Sequence, residues 1–399
     1  MNINSRIPFF PVLVGLGLVL LIAGWQLMIQ PDPIPLSALG PPPIPADNSQ
    51  SVDENGFPLL DDPKVQLGKY LFYDNRLSGD ASISCADCHS DNFGWTDGAD
   101  LCRGYAGTSH WRNCQTIINS AYFSKFFWDG SSKSLETQAI SAASGAVAGN
   151  GERDMMEERL RQIPFYVEFF DQVFGTSWPH QEDAWRAIAA FERALIQPVT
   201  PFDRFMKGDV LALSSDQKAG LALFTGKAGC ISCHGGPLLT DEKFYNIGVP
   251  ENPAFTDDAL RQITFRYEQY AKGVPEEIYR KVKTDLGLYY VSKRMEDMGK
   301  FRTPMLRYLA YTAPYMHNGA FYTLEEVVDF YNEGGGPDPI KAGFDFGTKS
   351  ERIQPLGLTQ TERRQLVAFL ESTTGDEIKS ERPVLPQYGA AIPISEGQR

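Results

Sequence analysis

A chain of 399 residues with 42% apolar side chains is long enough for two domains with cores of their own, which excludes disorder as the default state. Its 50 acidic residues outnumber the 37 basic ones, so the surface disfavours nucleic acid and anionic lipid and suits a basic protein partner. At the N-terminus, residues 7–29 carry no charge, follow the single basic residue Arg6, and have the length of a membrane-crossing helix. The segment LIAGWQLMIQ fits a cleavage site poorly, so an uncleaved anchor is expected over a removed signal peptide. In either case the positive flank stays inside and the rest of the chain is exported.

Residues 31–45 hold seven prolines, and the stretch 31–50 reads as an extended linker that carries the body clear of the membrane. Beyond it the body reads as mainly helical. DAWRAIAAFERALI (183–196) and SSDQKAGLALF (214–224) place apolar residues three and four apart, and no long alternating strand pattern competes. An internal repeat sets the organisation. LGKYLFYDNRLSGDASISCADCHSD (67–91) and AGLALFTGKAGCISCHGGPLLTD (219–241) share a glycine, a Leu-Phe pair, a loop and a Cys-x-x-Cys-His pentad. The expected division is an anchor or signal at 1–30, the linker at 31–50, domains at 51–200 and 201–380, and a tail at 381–399.

Four of the six cysteines lie in the pentads Cys85-Ala-Asp-Cys88-His89 and Cys230-Ile-Ser-Cys233-His234. Two cysteines on a tight turn can form thioethers to the vinyl groups of one haem, and the following histidine then falls beneath the iron. Two such pentads in repeated contexts point to two covalent c-type haems. Zinc would need knuckles closer together. Cys102 and Cys114 remain, and in an exported chain a disulfide closing the loop between them accounts for both. Further on, Thr323-Leu-Glu-Glu326 is a capping box that opens a helix whose apolar stripe is Leu324, Val327, Val328 and Tyr331, with glycines 334–336 ending it.

From about Leu59 to Ser372 the chain resembles the bacterial di-haem cytochrome c peroxidase family, which includes the methylamine-utilisation oxidase MauG. QLGKYLFYDNRLS (66–78), both pentads, FFWDG (126–130), GKFRTPMLRYLAYTAPYMHNG (299–319) and TLEEVVDFY (323–331) carry the resemblance. It implies a peroxidatic haem in the N-terminal domain, a second haem in the C-terminal domain, and electron transfer between them. It makes Trp128 the relay between the haems, and Asn113, Thr312 and Pro314 the ligands of a calcium ion between the domains. His317 is expected near the C-terminal haem, in a structural role or on a propionate. His180 reads as a surface-loop residue.

The chain departs from the family where gapless alignment puts Ala148 at the position of the distal glutamate, a general acid–base that alanine cannot replace. Glu152, four residues on, is one stand-in. His110 and Tyr105, in the loop between Cys102 and Cys114, are others, and Tyr105 falls where conventional members carry a switchable histidine ligand. Tyr331 stands where those members have the methionine ligand of the C-terminal haem and where MauG-like members have tyrosine. A phenolate favours ferric iron, so a haem held by His234 and Tyr331 would accept electrons poorly from ordinary cytochromes.

The reading is therefore a mainly α protein of two cytochrome c-like haem domains behind an N-terminal transmembrane helix, periplasmic and anchored to the inner membrane, with two haems and a calcium. It is expected to use hydrogen peroxide to oxidise an external substrate, such as a small cytochrome or another periplasmic protein. The rivals are conventional reduction of peroxide to water and a non-enzymatic di-haem electron-transfer subunit.

Overall fold

The computed structural model describes residues 32–45, 50–341 and 343–389. The predicted anchor at 7–29 lies outside these residues. Among the described residues no helix is long and apolar enough to cross a membrane.

The first domain is built on α1 (Pro63–Phe72), α2 (Leu135–Ser144), α3 (Arg153–Arg161), α4 (Pro164–Phe174) and α5 (Gln181–Ala194). Asp62 caps α1 by accepting from the Lys64 and Val65 amides, and Pro63 supplies a preset first-turn φ. α1 packs along α5. The contact is close because α5 turns Ala184, Ala187 and Ala190 inward, and because a Cβ on Gly68 would collide with the Ala187 carbonyl. Phe72, Trp95, Trp185 and Phe191 fill the core around this crossing, each worth about 1.5–3 kcal/mol of burial.

The second domain repeats the device. α6 (Pro201–Met206) and α7 (Ser215–Thr225) precede the second pentad, and α9 (Leu324–Asn332) and α10 (Gln360–Ser372) follow it. α7 lies against α10, where a Cβ on Gly220 would strike the Gln365 carbonyl and the Phe369 side chain. The glycine shared by the two sequence repeats is thus the residue that allows each domain's helices to touch. The predicted helix start at Thr323 holds: Glu326 N donates to Thr323 Oγ1 at 3.1 Å and Thr323 N donates to Glu326 Oε2 at 3.0 Å. β1 (Phe244–Tyr245) and β2 (Phe301–Arg302) pair antiparallel, with Phe244 opposite Arg302 and Tyr245 opposite Phe301.

A third apolar cluster was not anticipated from the sequence. Phe255, Phe265, Val274, Ile278, Val282, Leu286, Tyr289 and Met298, all between β1 and β2, pack with Leu101, Trp111 and Val147 of the first domain. Its principal helix is α8 (Ala259–Ala271).

Two expectations change. Residues 32–45 are not a free spacer: Leu39 is buried, its amide donates to Asp203 Oδ1 at 2.8 Å, and the Ile34 and Gly40 carbonyls accept from Gly236 N and Tyr122 Oη. Proline removes amide donors but leaves carbonyls, and the interleaved Leu36 and Leu39 supply the apolar side chains that seat the strand. The tail is a strap. Ile378 N donates to Tyr308 Oη at 2.6 Å, Ile378 O accepts from Trp95 Nε1 at 2.9 Å, and the Pro386 carbonyl accepts from Arg76 Nη1, so residues 378–386 run back to the first domain.

Gly220→Ala tests the shared crossing. Despite alanine's better helix propensity, overpacking against Gln365 should cost about 1–3 kcal/mol, read as a lower thermal midpoint. An unchanged midpoint would show that the crossing tolerates a side chain.

Candidate functional site

Each pentad is a tight turn that aims its histidine inward. Cys85–Cys88 is a single helical turn boxed by Ser84 and Asp87, and Cys230–Ser232 is a 3-10 turn. In both, the histidine amide donates to the carbonyl of the first cysteine at 2.9 Å. His89 Nδ1 lies 3.1 Å from Trp95 O and His234 Nδ1 2.9 Å from Leu239 O, which fixes the rings and leaves Nε2 for a metal. All four pentad cysteines are free thiols.

A cavity of about 660 Å³ is lined by both pentads. Its wall also contains Arg302, which is 4% exposed and has an Nη1 with no hydrogen-bond partner. Burial lowers the Arg302 pKa to about 10. A buried guanidinium that spends Nε on the Phe127 carbonyl and leaves Nη1 without a partner, beside two thiols and an oriented imidazole, fits a ligand that brings its own carboxylates, as haem does with its propionates. The residues present therefore suit two c-type haems.

The domains share a second repeat that the sequence reading overlooked. Phe126-Phe-Trp-Asp-Gly130 and Tyr315-Met-His-Asn-Gly319 are each closed by an antiparallel bridge, Phe126 to Ser132 and Tyr315 to Phe321. Phe127 and Met316 both take positive φ, as do Gly130 and Gly319. Trp128 and His317 thus hold matched positions, and their rings meet edge to face at 6.4 Å. Trp128 Nε1 donates to Asn113 O at 3.0 Å, and His317 stacks on Phe301 at 3.6 Å. In the same register the next helices match, so Leu135 pairs with Leu324 and Ala142 with Tyr331. FFWDGSSKSLE and YMHNGAFYTLE carry this in plain text.

That pairing makes the two slots unequal. Tyr331 lines the cavity near Cys230 and Cys233, and its hydroxyl finds no hydrogen-bond partner among the described residues. Burial first, then those two thiols, push its pKa up. In the first domain the matched Ala142 and the nearby Ala148 line the cavity with methyl groups only.

The other sequence-predicted residues separate. His110 lines the cavity, stacks on Trp111 at 3.9 Å, and accepts from Arg112 N at Nδ1, so a neutral ring carries its proton on Nε2. Burial, reinforced by the Arg112 guanidinium, lowers its pKa to about 3. Tyr105 is absent from the cavity wall; its hydroxyl sits against Gly79 and its amide donates to Val147 O. Glu152 is also outside the wall. It is exposed and caps α3 by accepting from Met155 N at 3.0 Å, which makes it a helix cap rather than a group in the cavity. His180 stands at the start of α5, half-buried beside Glu157 and Glu182.

Cys102 and Cys114 form the expected disulfide, with Cα atoms 4.9 Å apart, next to Cys88. Beside it Arg112, 6% exposed, donates from Nη1 to Asp129 at 2.8 Å and from Nε and Nη2 to both oxygens of Asp285. Asn113 Nδ2 donates to Ala99 O at 2.9 Å, leaving its amide oxygen for a cation, and Asn113, Thr312 and Pro314 all line the cavity.

Comparison with known proteins agrees with this arrangement. Residues 62–210 match the family model described as di-haem cytochrome c peroxidase. The chain is 51% identical over 362 residues to cytochrome-c peroxidase IdrP1 of Pseudomonas sp. (strain SCT), covering 90% of this chain and 91% of that protein. It is 34% identical to the methylamine utilization protein MauG of Methylorubrum extorquens, over 81% of each. Among solved structures, a MauG-like protein associated with microbial copper homeostasis aligns with a TM-score of 0.68 at 29% identity, covering 85% of this chain and 94% of that one.

Arg112→Ala would strand two buried carboxylates and should cost about 3–5 kcal/mol in denaturant unfolding at neutral pH. Burial works to raise the Asp129 pKa, but Arg112 outweighs it and holds the group at about 2, below its ordinary 3.8. That contribution is complete above the ordinary value and is lost as pH falls through the folded one. The stability gap between wild type and variant should therefore narrow as pH falls from about 4 to about 2. A gap that does not change with pH would refute the assignment.

Proposed function

The chain belongs to the di-haem cytochrome c peroxidase and MauG family, and from that premise we propose that it uses hydrogen peroxide to oxidise an external substrate, with a partner protein as the favoured class. It is a haem peroxidase, which sets aside the reading as a non-enzymatic electron carrier. Bound haem supplies redox-active iron at each site, and the chain's own residues decide what each site can do.

The observation that carries the proposal is the unequal pair Tyr331 and Ala142. A phenol with no hydrogen-bond partner among the described residues lines the cavity near the second pentad, whereas the matching position of the first domain presents only a methyl group. Tyr331 would hold a haem iron there through its oxygen, which would favour the ferric state and leave less room for a small molecule at the C-terminal site. The N-terminal site is then the place for peroxide. Between them the buried Trp128, pinned by Asn113 O and touching His317, is the relay we assign.

A second reading, reduction of peroxide to water at the expense of a small cytochrome, is favoured by the relatives named cytochrome-c peroxidase and by the net charge of −13, which would steer a basic donor. Calcium is assigned to Asn113, Thr312 and Pro314, neutral oxygen donors of the kind calcium accepts. We place the protein in the periplasm, tethered by residues 7–29.

Replacing Tyr331 by Phe should change the low-spin absorption spectrum of the purified diferric protein; an unchanged spectrum would refute the ligand assignment. Mixing wild type with peroxide and a reduced basic cytochrome separates the two readings, since rapid cytochrome oxidation would favour the second. After chelation, calorimetric titration should show calcium rebinding to wild type and not to Asn113→Ala. Equal binding by both would move the ion elsewhere.

A further inference from the structure

The stretch 142–149 of the first domain gives the cavity no acid; the first-domain carboxyls in its wall are Asp74, paired with Arg76, Asp129, paired with Arg112, and Glu192, on α5 near Cys85. Ala142, Ala143, Ala146, Ala148 and Gly149 line the cavity along that stretch, and Glu152 is engaged as a helix cap outside it. Cleaving hydrogen peroxide nevertheless requires a proton to leave one oxygen and arrive on the other.

The segment between β1 and β2 closes over this region. Its Phe265 contacts Trp111 at 5.3 Å between ring centres, Trp111 stacks on His110, and Val147, the neighbour of Ala148, belongs to the same apolar cluster. Arg261, at the start of α8, reaches the Ser109 hydroxyl. α8 is therefore fastened to the loop that carries His110 and to the turn that carries Ala148. Glu268 stands one turn beyond Phe265 on α8 and lines the same cavity, as does Lys272 one turn further. Among the described residues, the Glu268 carboxylate makes no hydrogen bond or ion pair.

We propose that Glu268, delivered by the C-terminal domain, is the acid–base group of the peroxide site in place of the acid missing at Ala148, with the neutral His110 as hydrogen-bond donor beside it. The inference rests on the peroxidase reading above. Glu268 takes the proton from one oxygen of hydrogen peroxide as it binds and returns it to the other as the O–O bond breaks, ending unchanged. Over the whole reaction one hydrogen peroxide takes two electrons from the oxidised substrate and two protons from solvent, and leaves as two waters. His110 Nε2–H can donate to the departing oxygen.

The electrostatics suit the role. Burial raises the Glu268 carboxyl above its ordinary range while Lys272 works the other way, and Lys272 also acts on His110, so the three share one neighbourhood. The cavity wall holds two other carboxyls of this segment: Asp285, which is held by Arg112, and Glu251. Burial and Asp285 raise Glu251 to about 7, and it sits by the Arg112 pair rather than on α8, which makes it the control.

The test uses the full holoprotein and two rapid-mixing rates: the spectral change on adding peroxide, and the association of cyanide, which arrives as HCN and must give its proton to a base. In Glu268→Gln both rates should fall on the order of 100-fold, with the resting spectrum unchanged. Glu268→Asp, or Ala148→Glu placed in the Glu268→Gln background, should restore part of the loss. Glu251→Gln should stay within about threefold of wild type, well short of an acid–base loss. Both rates within threefold of wild type in Glu268→Gln, or the loss appearing in Glu251→Gln instead, would overturn the assignment while leaving the peroxidase reading intact. A wild type that is inert to peroxide would overturn both.

Discussion

Much of the site hangs on one buried guanidinium. Arg112 joins three segments distant in sequence: the disulfide loop that carries it, the turn after Trp128 through Asp129, and the segment between β1 and β2 through Asp285. Such a cluster adds little net stability over an apolar core, because desolvation offsets the attraction. Its value is geometric. A planar fork with carboxylates on two edges has few alternatives, so the loop bearing His110, the ring of Trp128 and the base of the inserted segment are set relative to one another. Phe301, beneath the same guanidinium, stacks on His317 and extends the arrangement to the second domain.

From that fixed centre the domains diverge. They share the glycine helix crossing, the pentad, the bridged turn and the capped helix that follows, so duplicated architecture supplies two haem slots. One residue per slot breaks the equivalence. A tyrosine lines the cavity in the C-terminal domain where an alanine lines it in the N-terminal one, and on the proposed reading that is enough to divide labour between two otherwise similar sites. The rest of the duplication then works as scaffold, holding Trp128 and His317 edge to face in the wall of the shared cavity.

The legible parts of the sequence were those whose signal is local. Pentads, capping boxes and the glycine after Leu67 act within a few residues of themselves, and the structure places them as read. The inserted helix was illegible for a physical reason: α8 turns Leu260, Ile263, Tyr267 and Tyr270 outward and buries Gln262, Phe265 and Gln269, so its apolar periodicity points to the wrong face. Arg112 and Asp285 were missed because an ion pair across the chain leaves no spacing to detect. The proline stretch misled in the other direction, since composition reports its stiffness and says nothing about Leu36 and Leu39 finding apolar neighbours. Glu152 is close to Ala148 along the chain, but the start of α3 claims its carboxylate as a cap.

These long-range links bear on how the sites depend on each other. The first domain has its own pentad and core, yet the inserted segment, the Arg112 cluster and the C-terminal strap all bind it to the second domain. The strap meets Trp95 Nε1 through Ile378 O, and the Trp95 carbonyl orients His89, so the first pentad's histidine is braced by residues that follow the second domain's last helix. If the acid comes from Glu268 as well, the N-terminal site draws both its protons and its redox partner from the other domain. An isolated first domain could then carry haem without being able to use peroxide. On this view the alanine at 148 is no defect, because the acid it lacks arrives on α8.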